Sequence, residues 1–266
     1  MAQAGSISTY VARSALERLK RARVLEPDAP HPQHGGVIRF VQEMQQADTA
    51  LIEALATSGG ALDPPERAML GRRRASVDAA IARQASLAAR RTGRNRKEAL
   101  ETLDAIFKLG SVTDPPMNGS YRGQFLTSTI LASLDSSGRF VSRLYMPWQG
   151  KRFDAHSSRG INVFSRSMVW VGRLFWPAYS GYRRYREGLV TGFPFRTYTG
   201  PGEQDPEITT LKLDYNLTAN PRFIVRSALD ELIQVSGGYY LGKAYLRRGG
   251  SYCLVAFFAL QKEVRV

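Results

Sequence analysis

The stretch Gln234–Gln261, QVSGGYYLGKAYLRRGGSYCLVAFFALQ, decides the reading of the fold. Gly237-Gly238 and Gly249-Gly250 each interrupt a run of aromatic, aliphatic and β-branched residues. Glycine pairs reach the positive φ that tight hairpins need, and the flanking residues suit a pleated, half-buried surface. Two consecutive β-hairpins are therefore expected at this end of the chain.

Further strand candidates lie upstream, at Ser120–Leu131, Arg139–Met146, Lys151–Phe153, Met168–Phe175, Gly188–Thr199, Glu207–Tyr215 and Leu232–Val235. Asp135-Ser136-Ser137-Gly138 has the composition of a hairpin turn. Asn220-Pro221 reads as a helix start, with Ile224, Ala228 and Leu232 on one face. Sequential strands of this kind suggest an up-and-down sheet that closes into a barrel or half-barrel.

The first half differs in kind. Of the aromatic residues, only Tyr10, Phe40 and Phe107 precede residue 111. Val37, Val41, Met44, Leu51 and Leu55 recur at helical spacing between Gly36 and Ser58. Asp63-Pro64-Pro65-Glu66 places a capping aspartate, a first-turn proline and a glutamate able to reach back to the cap. Asn95-Arg96-Lys97-Glu98 repeats that logic, and another helix is expected over Ser8–Val24. The predicted class is α+β: a helical region over 1–110, a proline-bearing linker over 111–119, and a mostly antiparallel barrel or half-barrel over 120–266.

Gly119-Ser120-Tyr121-Arg122-Gly123 resembles the G-x-W-x-G motif of uncharacterised bacterial barrel proteins, with Tyr121 at the tryptophan position. Trp148-Gln149-Gly150-Lys151-Arg152-Phe153 is similar to the W-x-G-K-x-F stretch that follows there. The resemblance covers about residues 117–266. It also extends to the entry strand of lipocalin-like barrels and implies a cup for an apolar small molecule, with no chemistry attached.

Composition narrows the rest. With 43% hydrophobic and 23% charged residues in 266, the chain can bury a sizeable core. No apolar run approaches the ~20 residues of a spanning helix. The first residues lack the order of a secretory signal, and the lone Cys253 excludes a disulfide framework, so a cytoplasmic setting is expected. The net charge of +14 favours an anionic partner. Arg72-Arg73-Arg74 and the run Arg90, Arg91, Arg94, Arg96, Lys97 carry no helix-turn-helix, zinc or RNA-stacking signature, so nucleic acid is disfavoured. His31 and His34 have no other histidine or cysteine nearby, and neither a metal nor a cofactor is expected.

Candidate catalytic groups are the carboxylates Asp154, Asp214 and Asp230, with His156 two residues after Asp154. Residues two apart on a strand share a face, so Asp154 and His156 could act as acid and base. An exposed loop is the expected setting for them, and Asp230 is expected to balance Arg226 or Lys243. Candidate ligand-binding residues are Tyr121, Trp148, Trp170, Trp176, Tyr215, Tyr240, Gly242 and Lys243. The aromatic segment Met168–Tyr185, with Arg173, Arg183 and Arg184, fits an apolar pocket or an anionic membrane surface. The expected function is binding of a hydrophobic or lipid-like small molecule. The alternatives are a cyclase, isomerase or hydrolase on the same scaffold, or a basic scaffold protein for nucleic acid or an acidic partner.

Overall fold

The computed structural model describes residues 34–58, 64–89, 94–112, 116–129 and 147–263. The helix expected at Ser8–Val24, His31, Asp63, Arg90, Arg91, the Asp135–Gly138 turn and the Arg139–Met146 strand lie outside them.

The helical unit contains α1 (His34–Ser58), α2 (Pro64–Ala88) and α3 (Arg94–Leu109). Each buries one stripe at helical spacing: Val37, Val41, Met44 and Leu51 from α1; Leu70, Val77, Ile81 and Ala88 from α2; Ala99, Leu103, Ile106 and Phe107 from α3. Helix α3 packs against both of the others. Helix α2 begins at Pro64, where the missing N–H costs nothing. Arg74 bridges to Asp48 through Nη2 (2.7 Å) and Nε (3.2 Å).

The second unit is a closed antiparallel barrel. Its strands are β1 (Gly119–Ser128), β2 (Trp148–Asp154), β3 (Arg159–Ser165), β4 (Arg183–Arg186), β5 (Leu189–Pro201), β6 (Thr209–Asp214), β7 (Ala228–Ser236), β8 (Tyr239–Arg248) and β9 (Ser251–Lys262). They run in the order β3-β2-β1-β9-β8-β7-β6-β5, and β3 pairs with β5 to complete the ring. Closure leaves none of these eight strands with a long bare edge. Strand β4 is an appendage on the first residues of β5, and β6 takes over the same edge from Arg196 onward. Both C-terminal hairpins form as expected, with Gly238, Gly249 and Gly250 at positive φ.

Two expected elements are corrected. Met168–Phe175 is a helix, α4, and not a strand. Both edges of β3 are already occupied, by β2 and β5, so the segment finds no free ladder there. It instead seats Met168 and Gly172, one helical turn apart, toward the barrel. The helix expected from Asn220 is a short 3₁₀ turn, Val225–Ser227, followed by β7. The four-residue spacing of Ala228 and Leu232 that suggested a helix face is also a multiple of the strand period of two. Strands β3 and β4 lie where no strand was expected.

Several bulges interrupt the ladders, and three of them act on the interior at Trp148, Phe193 and Val255. Between Trp148 and Gly150 the β2–β3 register slips, leaving Gln149 as the extra residue. Strict alternation would put Trp148 and Lys151 on opposite faces, and the bulge returns both to one side. A second slip, between Ile161 and Asn162, leaves Phe193 as the extra residue of β5, at φ 51°. A third, between Ala244 and Tyr245, leaves Val255 as the extra residue of β9.

Candidate functional site

The barrel is filled mostly by rings. Tyr121 meets Phe153 and Tyr240 edge-on, at 5.3 and 5.5 Å between centroids, and Phe153 meets Phe195 at 5.4 Å. At the other end Trp176 contacts Phe193 at 5.1 Å, and Tyr179 stacks on Phe193 at 4.9 Å. Edge-to-face pairs suit the quadrupoles of aromatic rings. Burial pushes the Tyr121, Tyr179, Tyr182 and Tyr240 hydroxyls up from their ordinary pKa, so they stay neutral.

Between these ends lies a charged pair, Lys151 and Asp230. Lys151, from β2, is 3% exposed and extends among the rings of Trp148, Phe195, Tyr215 and Phe258, each 5.1–5.4 Å from its ammonium. Its Nζ donates to Asn162 Oδ1 (2.8 Å), to Asp230 Oδ2 (2.9 Å) and to the Tyr215 hydroxyl. The three ammonium protons thus each have an acceptor. Tyr215 donates to Asp230 Oδ2 (3.0 Å), and Trp148 Nε1 donates to Asn162 Oδ1 (3.1 Å). Asn162 Nδ2 donates to the Phe193 carbonyl and to the Tyr215 hydroxyl, both at 3.1 Å. Desolvation lowers the Lys151 pKa, against the pull of Asp230. The pair is neutral overall, which is what allows two charges so deep inside.

A half-open cavity of about 80 Å³ adjoins this cluster. Lys151, Asn162, Tyr215 and Asp230 form its polar wall, while Phe164, Ala244, Leu246 and Val255 are among its apolar lining. Its lip is Ile224-Val225. Ile224 sits at φ 65°, ψ −54°, in a three-residue turn closed by Val225 N–H donating to the Phe223 carbonyl (2.8 Å). That conformation is strained for a β-branched residue. Asp230 Oδ2 accepts both bonds of the cluster, and Oδ1 takes no hydrogen bond among the described residues.

The expected site residues separate accordingly. Trp148, Tyr215 and Asp230 line the cavity. Asp230 pairs with Lys151 rather than with Arg226 or Lys243. Tyr121 and Tyr240 belong to the ring-packed core, and Trp176 plugs the barrel end, with Nε1 bonded to the Phe223 carbonyl at 2.9 Å. Gly242 lies under Phe258, whose ring would be 2.3 Å from an added Cβ, so it leaves no room for a ligand. Lys243 points from the opposite face of β8 to Asp205 (2.7 Å). There it neighbours a second buried layer, in which Lys212 bridges Glu203 and Glu231, and Tyr245 donates to Glu231 (3.1 Å). Asp214 is buried and bonds the exposed Arg196 (2.7 Å). Asp154 and His156 occupy an exposed turn, where Asp154 accepts from the Ser157 hydroxyl (2.7 Å) and the His156 N–H (3.1 Å). The Ser157 bond, foremost, lowers the Asp154 pKa. Trp170 is 72% exposed.

Lys151 and Asn162 are the cluster members that the sequence did not single out. Lys151 left a trace: it is two residues before Phe153 and so shares its face, a charge in phase with the core. Asn162 left none.

No protein-family model and no curated protein matches the sequence. One crystal structure, of a protein from Thermomonospora curvata, is similar over 69% of this chain and 98% of its own, at 15% identity and a TM-score of 0.39. At that score the likeness carries nothing about function.

Proposed function

We propose that the barrel binds a small, mostly apolar molecule that carries one neutral hydrogen-bond donor, such as a hydroxyl or an amide N–H. The observation behind this reading is the cavity wall itself: apolar on most sides, with Asp230 Oδ1 as the acceptor left over beside a saturated lysine. An anionic ligand would find no free proton on Lys151 and would meet Asp230. At about 80 Å³ the cavity is sized for a small ligand or for one end of a longer one. The rest of a longer ligand would lie across Ile224 and Leu246.

The test uses a short homologous set: 1-butanol, butanamide and butyrate, titrated while methyl NMR signals of Ala228, Ala244, Leu246 and Val255 are followed. The alcohol and the amide are expected to shift these signals saturably, in the millimolar range, given ~0.8 kcal/mol per buried methylene. Butyrate is expected to leave them unmoved. Ala228→Leu, at the cavity edge, should abolish the shifts. Equal shifts with all three compounds, or none with any, would reject the reading.

A second reading has one observation in its favour. Lys151, Tyr215 and Asp230 put three titratable groups on one cavity wall. That is the arrangement proton transfer on a bound carbonyl compound needs, with Asp230 taking a carbon-bound proton while the Tyr215 hydroxyl turns from Asp230 to hydrogen-bond the oxygen. Deuterium incorporation next to the carbonyl of a small ketone in D₂O, lost in Asp230→Asn, would support it. No exchange above buffer would exclude it for that substrate class.

A further inference from the structure

We infer that the α4 end of the barrel docks on an anionic lipid surface. Helix α4 turns two large apolar residues outward, Trp170 at 72% and Leu174 at 75% exposure, one helical turn apart. Its other side is anchored: Met168 and Gly172 are buried, and the following Trp176 is bonded to the Phe223 carbonyl. Phe223 itself is 63% exposed. Three bulky apolar side chains thus project from two segments that are tied to each other and to the barrel wall. Moving such groups out of water is favourable, and Trp170 and Leu174 stand open to a partner that covers them.

Charge says what does. From Ala155 to Arg186 there are six arginines and no aspartate or glutamate. Arg166 precedes the helix, Arg173 lies over the Trp170 ring at 5.4 Å, and Arg222 is next to Phe223. All three are exposed, and none has an acidic partner among the described residues. Rigid aromatic and leucine side chains ringed by unpaired guanidinium groups match the boundary between anionic headgroups and acyl chains. The tip also adjoins the cavity lip, because Phe223 leads directly into Ile224 and Val225. Docking stands whether or not the cavity takes a ligand.

The full chain is mixed with phosphatidylcholine vesicles, with and without phosphatidylglycerol, and binding is read by co-sedimentation. Quenching of tryptophan by lipids brominated along the acyl chain reports insertion. Binding is expected only with the anionic lipid, with quenching. Trp170→Ser/Leu174→Ser keeps the net charge, changes only exposed positions, and is expected to weaken partitioning by about tenfold or more. Arg173→Glu/Arg222→Glu should weaken it similarly at low salt. Wild-type binding by the Trp170→Ser/Leu174→Ser variant would overturn the proposal and assign adsorption to the +14 net charge alone. So would absence of binding to anionic vesicles, or sedimentation without quenching.

Discussion

At the scale of single residues, the two ionised groups inside the barrel depend on each other. Lys151→Met would leave Asp230 buried without its cation, and such losses cost about 3–5 kcal/mol. The double variant Lys151→Met/Asp230→Asn removes both charges and is expected to recover part of that cost. Urea unfolding of the three proteins measures it; equal stability of wild type and Lys151→Met would show that the pair contributes little. In the helical unit Asp78 is informative in another way. Its Oδ1 is buried without a hydrogen-bond partner among the described residues, and nearby Arg74 is held by Asp48. Burial raises its pKa from 3.8 to about 7, against the opposing pull of Arg74. The folded state therefore holds this proton more tightly than the unfolded chain. Its stabilising contribution is full below the unfolded pKa and is lost as pH climbs through about 7. Asp78→Asn should flatten stability between pH 4 and 7 and raise it at pH 8, by about 1 kcal/mol once solvent screening is allowed for. An unchanged pH profile of the unfolding midpoint would contradict this.

At the scale of elements, the β2 bulge is what assembles the polar wall, since it places Trp148 and Lys151 on one face. Gly150 makes it possible: at φ 146°, a Cβ there would stand 2.0 Å from the Tyr121 carbonyl oxygen, which the β1 ladder holds in place. Gly150→Ala is expected to cost about 2–4 kcal/mol, strain and steric overlap together. Gly188→Ala serves as the comparison. It has φ 69° but open space around it, so only the left-handed backbone penalty of about 1–2 kcal/mol applies. Thermal unfolding of both variants tests the difference, and a Gly150→Ala protein no less stable than Gly188→Ala would refute the packing argument. Helix α4 teaches a related lesson. MVWVGRLF is rich in residues that favour strands, yet it is a helix because neighbouring strands fill the ladder it would have joined.

At the scale of the whole molecule, ring closure through β3–β5 is what gives the barrel an interior. Protection should follow position in that ring. Strand β8 is flanked by β7 and β9 and is almost wholly buried, whereas β4 is a four-residue appendage with three exposed arginines. Amide hydrogen exchange read by mass spectrometry is expected to be slowest over 240–246 and 254–260 and fastest, within the barrel, over 183–186. Early exchange of β8 would mean that the ring opens there.

The hairpins, the helical stripes and the change from helices to strands were written in the order of residues, because turn chemistry and the two side-chain periods act between near neighbours. The stripe Val37, Val41, Met44 and the paired glycines of the last hairpins needed no partner to be recognised. The polar wall is another matter. Lys151 and Asp230 are 79 residues apart and meet only because the closed ring turns both strands inward. Whether Asp230 faced the interior or the surface hung on the register of β7, and a slip of one residue would have exchanged it with Glu231. Asn162 came from a strand that local signals did not mark, brought opposite Lys151 by pairing. Long-range pairing decides such matters, and no local pattern encodes it: the charge at Lys151 was visible in the sequence, but its counter-charge was chosen by the barrel.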